Sequence, residues 1–272
     1  MNAETLSLNL GPQHPSTHGV LRVVLELDGE TVVDARPDIG FLHRGIEKLA
    51  ENRTYHQVIV LTDRLDYLAA LSNNLAYVMA VEKLMDIEVP RRACYVRAAL
   101  AELQRIASHL FWLGTHAHDL GAMTPIFYAL REREALMDIF ESLSGSRLTP
   151  SFLRIGGLAA DIDGRFVEAV RSFTDTFPSR VDEYETLLTE NPIWKYRTKG
   201  AGILDASDCI RLGISGPMLR SAGKRLDLRK AQPYSCYDEF HFEIPTGMAG
   251  DVYDRYLVRI REMRESARIT RQ

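Results

Sequence analysis

Residues Arg91–Leu120 read RRACYVRAALAELQRIASHLFWLGTHAHDL and place apolar side chains three and four positions apart along the whole stretch. This spacing corresponds to one face of an α-helix, so we predict a long amphipathic helix packed against other helices. The preceding stretch Thr54–Asp86 has the same spacing, and Pro90 separates the two. Long helices joined by short connections indicate a helix bundle.

More helices are predicted towards the C-terminus. They are expected over Thr124–Ser144, within Gly164–Glu190, near Asp205–Leu212 and over Asp251–Gln272. The last pattern continues to the final residue with no Gly, Asn or Pro stop signal, so we expect a piece of a longer protein.

The remaining segments towards the C-terminus have other patterns. Asn191–Gly202 and Gly213–Gly223 are predicted to be rich in loops. The segment Asp238–Ile244 alternates between polar and apolar residues, which predicts a strand.

The N-terminal segment has the pattern of β-strands. Leu6–Leu10, Val20–Leu27 and Glu30–Arg36 are strand-like, and Asp28-Gly29 is a strong two-residue hairpin signal. We therefore predict an α+β fold, with a small N-terminal antiparallel β-meander packed on a long-helix bundle. The expected domains are residues 1–42 (β), 43–190 (helical bundle) and 191–272 (mixed loops, a strand and the final helix).

Composition excludes several classes of function. The formal net charge of −4 over 272 residues offers no basic field for nucleic acid. The three cysteines are scattered without a CxxC pair, so neither a disulfide framework nor a self-contained zinc or iron–sulfur site is expected. No stretch of eighteen apolar residues and no basic leader is present, so neither a membrane-spanning helix nor a signal peptide is expected. Phosphate-binding glycine motifs and GxSxG are also absent, so nucleotide binding and serine hydrolase chemistry are not expected.

The loop GPQHPSTHG, Gly11 to Gly19, joins the first two predicted strands and contains His14 and His18. Two histidines in one rigid loop could bind a metal ion, but no second ligand cluster accompanies them. We therefore do not expect a metal site formed by this chain alone. His18 is the histidine for which a functional role is favoured, because sites concentrate on loops of rigid scaffolds.

Two further polar groups lie within or at the end of the predicted helices. In the run DRLDY, Tyr67 offers an aromatic ring and a phenolic donor that suit an aromatic carbonyl ligand. A solvated salt-bridge face is the alternative explanation for this run. Asp119 lies at the C-terminal end of an apolar helix, where a carboxylate is disfavoured, so either a His or Arg partner or a simple loop-capping role is expected.

Eight motifs together carry a resemblance to a known family: GPQHPSTHGVLR, DIGFLHRGIEKLAENRTY, DRLDYL, HDLGAMTP, RIGG, DEYE, DLRKAQPY and DVYDRYLVRIREMRES. In this order they resemble the D-type, quinone-site subunits of NADH–quinone oxidoreductase, respiratory complex I. Those proteins are related to the large subunit of nickel–iron hydrogenases. The resemblance runs from about Leu8 to Gln272.

The resemblance implies specific site residues. His18 and Tyr67 match the quinone-headgroup ligands, Asp119 matches an aspartate that pairs with that histidine, and Arg44 matches an arginine near an iron–sulfur cluster of the adjacent subunit. The resemblance further implies that this chain binds no cofactor itself and that quinone is the substrate. The expected partners are the cluster-bearing neighbour, the C-type protein of the peripheral arm and the membrane-arm subunits, at the cytoplasmic face of the bacterial inner membrane.

Two departures bear on this interpretation. Nickel–iron hydrogenases hold their metals with cysteines, the first pair in an RxCxxC string that falls at Arg64–Ala69, where this chain has no cysteine. Thr149 stands where many family members have a histidine near the cluster, so tuning of the cluster through that residue is not expected here.

Two alternatives to a quinone-site subunit remain open at this point. The chain could be a truncated non-catalytic scaffold, or the large subunit of a related membrane-bound hydrogenase-like complex.

Overall fold

The computed structural model describes residues 5–272, and for Ser16 only the backbone. The chain divides into two compact units, the first ending at Arg53 and the second running from Thr54 to Gln272. The sequence predicts a boundary after residue 42 instead. The difference is the short helix α1 (Ile46–Ala50), which belongs to the first unit. The first four residues of the predicted domain 1–42 lie outside the described residues.

The first unit is built on a three-stranded antiparallel sheet in the order β1 (Leu6–Leu10), β2 (Arg22–Asp28) and β3 (Thr31–Asp38). This confirms the predicted meander. Asp28 pairs with Thr31, so the turn residues are Gly29 and Glu30 rather than Asp28 and Gly29. Gly29 has φ 62°, a left-handed conformation that a glycine adopts without steric cost.

Cross-strand pairing explains why these residues form a sheet. β1 and β2 pair Leu6 with Leu27, Leu8 with Leu25 and Leu10 with Val23. Alternate residues of a strand point to one side, so these six apolar side chains share one face of the sheet.

The second unit is mainly helical. Its elements are α2 (Tyr55–Thr62), α3 (Ala70–Met85), α4 (Arg91–Asp119), α5 (Thr124–Ser144), β4 (Leu153–Arg154), β5 (Gly157–Leu158), α6 (Gly164–Leu188), α7 (Pro192–Thr198), α8 (Ala206–Arg211), α9 (Gly216–Ser221), α10 (Leu228–Ala231) and α11 (Val252–Arg271). Helix α4 packs against α3, α5 and α11. Together with the N-terminal sheet, these helices confirm the α+β class.

The core follows the apolar stripe of α4. Leu100, Leu103, Ile106, Leu110 and Leu113 are all less than 2% exposed. Because they recur every three or four residues, one face of the helix lies in the core along most of its length. The sequence prediction for this helix is confirmed to within one residue at its C-terminus.

The predicted helix over Thr54–Asp86 is wrong in its middle, because the chain leaves the helix after Thr62 and re-enters at Ala70. Asn74 of α3 holds the end of α2. Its side-chain amide donates to the Ile59 carbonyl at 3.0 Å, to the Thr62 hydroxyl at 2.9 Å and to the Asp63 carboxylate at 2.5 Å. These bonds fix the end of α2 against α3 rather than in line with it.

Two other local predictions are also wrong. Residues 192–198, expected as loop, form α7, whose first turn is capped by Asn191 and begins with Pro192. Asp238–Ile244 is not a strand of either sheet in the described part of the chain. Its alternation reflects one-sided packing, since Phe240 and Phe242 are buried while the residues between and beside them are exposed.

A buried layer of charge lies between α4, α10 and α11. Glu102 is completely buried and accepts hydrogen bonds from Arg229 at 2.9 Å, Tyr237 at 2.6 Å and Ser266 at 2.6 Å. Arg105 lies 3.2 Å from the same carboxylate. A buried charge of this kind is tolerated only where such partners replace water.

Candidate functional site

The loop Gly11–Gly19 is closed by its own backbone. The Gln13 amide donates to the Gly19 carbonyl at 2.9 Å, which ties the two ends of the loop together. Inside the loop, Thr17 is 3% exposed, and its amide and hydroxyl both donate to the His14 carbonyl, at 3.0 and 2.9 Å. The loop therefore has an internal framework of hydrogen bonds made by its backbone and by the Thr17 hydroxyl.

Gly11 permits the chain to approach itself closely at the start of this loop. Its φ is +76°, and a Cβ there would lie 2.0 Å from the Leu21 carbonyl oxygen and 2.7 Å from the Thr17 hydroxyl. No side chain fits in that space. Glycine is thus required both by the backbone conformation and by the lack of room.

His18 and Arg44 are both exposed residues of the first unit. His18 has φ 51°, in the left-handed region that few non-glycine residues adopt and that clusters at functional sites. Arg44 directly precedes Gly45, which begins α1 with φ 63°. The structure thus places both residues on loops of the same unit.

Tyr67 lies at the exposed part of the loop between α2 and α3, with 57% of its surface accessible. Its neighbours are held in place. The Asp66 carboxylate accepts from the Leu68 amide at 3.0 Å, and the Asn73 side chain donates to the Asp66 carbonyl at 3.2 Å. Gln104 of α4 donates to the Leu68 carbonyl at 2.7 Å. The phenol is therefore presented to solvent from a fixed loop rather than from the middle of a helix.

The sequence interpretation of the neighbouring leucines is partly wrong. Leu65, which falls within the apolar spacing of the predicted Thr54–Asp86 helix, is 59% exposed rather than buried. Asp63, in contrast, is buried, and burial raises the pKa of its carboxyl group despite the hydrogen bond from Asn74 and the charge of Arg64. The buried member of the DRLDY run is thus its first carboxylate, which anchors the loop.

Beside this loop lies a polar cleft of about 420 Å³. Asp63 and Arg64 line one side, and Thr149 lies in its wall together with Ser146 and Ser151. Thr149 has φ 51°, which is unusual for a β-branched residue. The structure therefore brings the DRLDY run and the loop that carries Thr149 to the same cleft.

Asp119 is the last residue of α4 and is exposed. The helix ends in a Schellman motif, in which the Gly121 amide donates to the His118 carbonyl at 2.9 Å and the Ala122 amide to the Ala117 carbonyl at 2.8 Å. Gly121 supplies the left-handed residue, with φ +86°. The position of the Asp119 backbone is therefore well determined.

Two of the histidines near this helix end have different surroundings. His116 stacks on Trp112 with 4.7 Å between ring centroids and meets Trp194 edge-on at 5.7 Å. Burial, and then the charge of Arg259, lower the pKa of His116, while Asp119 acts in the opposite direction. His118, two positions further along α4, points to a different side of the helix and is exposed.

Residues 5–272 contain no group of three or more His, Cys, Asp or Glu side chains that could hold a metal ion. None of the helices in that range combines the length and the apolar character needed to cross a membrane.

Comparison with known proteins identifies the family. Residues 119–272 match the family described as the 49 kDa subunit of respiratory-chain NADH dehydrogenase. The chain is 59% identical over 269 residues to a D-type NADH-quinone oxidoreductase subunit of Chloroflexus aurantiacus, and 60% identical to one of a Roseiflexus species. It is 57% identical to the D-type protein of Geotalea uraniireducens. This chain belongs to that family.

The matches cover nearly all of this chain but only part of each relative. The share of this chain is 99%, 99% and 100%, respectively, and the share of the relative is 66%, 64% and 70%. The chain thus spans about two thirds of the length of these relatives.

Proposed function

We propose that this chain is the quinone-site subunit of a proton-translocating NADH:quinone oxidoreductase. The observation that carries the proposal is the presentation of Tyr67, whose phenol is exposed on a loop with hydrogen bonds on both sides. The relatives are named NADH-quinone oxidoreductase subunits, which makes a quinone the substrate to test. Family membership also supports assembly with other subunits of the same enzyme.

In this proposal the chain's own residues bind the headgroup and supply protons. Tyr67 and His18 donate hydrogen bonds to the two quinone carbonyl oxygens and then transfer their protons as the ring is reduced to quinol. Electrons reach the ring from an iron–sulfur cluster of the adjacent subunit, and Arg44 faces that subunit. A phenol and an imidazole suit this role because each can donate a proton and recover it from water.

Asp119 is proposed to pair with His18. When His18 gives up its proton, its attraction to the carboxylate weakens, and this change of charge biases the conformations that drive ion pumping in the membrane-arm subunits. The chain is proposed to lie at the cytoplasmic face of the bacterial inner membrane, with the cluster-bearing neighbour and the C-type protein of the peripheral arm as its direct partners.

The test replaces Tyr67 by phenylalanine in the assembled enzyme. We expect NADH:quinone activity to fall by about 10²-fold, the lower range for loss of a positioned proton donor. Electron transfer to ferricyanide should stay unchanged, since it bypasses the quinone. Tyr196→Phe is the matched control, because Tyr196 is an exposed tyrosine of α7 at 89% accessibility. A full quinone rate in Tyr67→Phe would refute the assignment.

A non-catalytic scaffold is the competing explanation for a chain of this length. Co-purification with the cluster-bearing neighbour distinguishes the two. A chain that assembles and supports inhibitor-sensitive quinone reduction is catalytic, whereas one that never assembles with that neighbour is not.

A further inference from the structure

Gln104 connects the middle of α4 to the loop that carries Tyr67. Its side chain is only 3% exposed, and its Nε2 donates to the backbone carbonyl of Leu68 at 2.7 Å. Leu68 directly follows Tyr67, so this bond fixes the peptide on the C-terminal side of the tyrosine. The contact joins residues 36 positions apart in the sequence.

We propose that Gln104 is a positioning residue that sets the orientation of Tyr67 towards the quinone. This inference rests on the proposed function, in which the Tyr67 phenol contacts the headgroup. Gln104 itself acts only through the Leu68 carbonyl. A shift of this carbonyl would move the phenol, and small displacements of a reacting group have large effects on rate.

The environment of Gln104 supports a role other than stability. Its carbonyl oxygen Oε1 is buried and has no hydrogen-bond partner among residues 5–272. A buried polar atom without a partner destabilises a fold, and methionine would fill a similar volume without that cost. Glutamine is therefore a poor choice for stability at this position, and the bond to Leu68 is what it provides in return.

The other two bonds beside Tyr67 are local. Asp66 accepts from Leu68 within the loop, and Asn73 belongs to the helix that follows directly. Gln104 instead ties the loop to α4, the helix that ends in Asp119. Fifteen residues separate Gln104 from Asp119, about 22 Å along a helix at 1.5 Å per residue. Helix α4 thus contains both Gln104, which holds the Tyr67 loop, and Asp119, another proposed site residue.

The first test measures amide hydrogen exchange in the full chain carrying Gln104→Met. We expect the Leu68 and Ala69 amides to exchange about tenfold faster, as the loss of one hydrogen bond allows. Resistance to urea should be equal to or greater than that of the unchanged chain. If the methionine variant does not fold, Gln104→Glu replaces it in this test, because glutamate keeps the length of the side chain but lacks the amide donor.

Leu100→Val is the control for stability, because Leu100 is completely buried on the same helix. It should lower resistance to urea without altering exchange in the Tyr67 loop, since local openings and global unfolding are separate processes. Unchanged exchange at Leu68 and Ala69 in both Gln104 variants would overturn the inference, whatever the enzyme does.

The second test uses the assembled enzyme with Gln104→Met. We expect kcat/KM for quinone to fall about tenfold, a free-energy change of the same size as that expected from amide exchange, while the ferricyanide rate stays unchanged. If exchange is faster but quinone kinetics are normal while Tyr67→Phe is defective, the inference about Gln104 is wrong. If Tyr67→Phe is also normal, the proposed function fails and the inference fails with it.

Discussion

Replacing Glu102 by glutamine removes the charge at the centre of the buried layer between α4, α10 and α11. The carboxylate is completely buried and is held by Arg229, Arg105, Tyr237 and Ser266. Tyr237 and Ser266 donate to different oxygens of the carboxylate, so a glutamine could accept from only one of these hydroxyl groups. It would also leave the Arg229 guanidinium without its full counter-charge. Breaking one partner of a buried ion pair costs about 3–5 kcal/mol, and we expect the lower end of that range here.

The direction of the Glu102 pKa agrees with a stabilising role for the carboxylate. Burial alone would raise this pKa, but the charges of Arg105 and Arg229 and the hydrogen bonds from Ser266 and Tyr237 lower it from 4.5 to about 2. At about 1.4 kcal/mol for each pKa unit, this difference corresponds to about 3 kcal/mol of stabilisation.

The direction of the pKa also fixes the pH dependence. Because the pKa is lower in the folded chain than in the unfolded chain, the unfolded chain binds the proton first as the pH falls. The stabilisation by Glu102 is therefore complete above about pH 4.5 and is lost progressively as the pH approaches 2. The difference in unfolding free energy between the unchanged chain and Glu102→Gln should shrink over the same interval.

The measurement is urea denaturation of the purified chain, followed by circular dichroism at pH 7 and at about pH 3. Glu183→Gln is the control, because Glu183 forms ion pairs with Arg131 and Arg180 at the surface, where solvent screens them. A loss below about 1 kcal/mol at pH 7, the size of an ordinary substitution, would refute the reasoning. So would an equal loss at both pH values.

Two further predictions concern the backbone. Gly11→Ala should lower the free energy of unfolding of the first unit by more than about 3 kcal/mol, because its Cβ would lie 2.0 Å from the Leu21 carbonyl oxygen. Gly19→Ala meets no atom within 4 Å, so it should lower this free energy by only about 1–3 kcal/mol, through its φ alone. Amide exchange across the first unit measures both changes, and equal effects would contradict the steric argument. Asp251→Ala should destabilise α11 by about 1–2 kcal/mol, because its carboxylate caps the helix at the Asp254 amide and also accepts from the Gly200 amide. The exposed cap Asp163 of α6 is the comparison, and a larger loss in urea denaturation for Asp163→Ala would contradict this prediction.

Only part of the candidate site could be found from the sequence. The motifs direct attention to His18, Arg44, Tyr67 and Asp119, and their proposed roles stay predictions. Gln104 could not be found in this way, because a glutamine within an amphipathic helix has no local signal. Its relevance depends on a hydrogen bond to a carbonyl 36 residues away.

The sequence by itself determined the elements whose patterns are local. The apolar stripe of Arg91–Leu120 predicted α4 almost to the residue, and the strand pattern before residue 40 predicted the three-stranded sheet. In both cases the residues that form the pattern are those that become buried or paired, so periodicity and packing agree.

Only the tertiary structure decided where patterns end. The stripe from Thr54 to Asp86 continues through Asp63 without interruption, yet the chain turns there because the Asn74 side chain binds three acceptors at the end of α2. The alternation of Asp238–Ile244 is real but no strand of the described sheets pairs with it. Contacts between residues distant in sequence determine where these elements end, and the pattern within a single segment contains no information about such contacts.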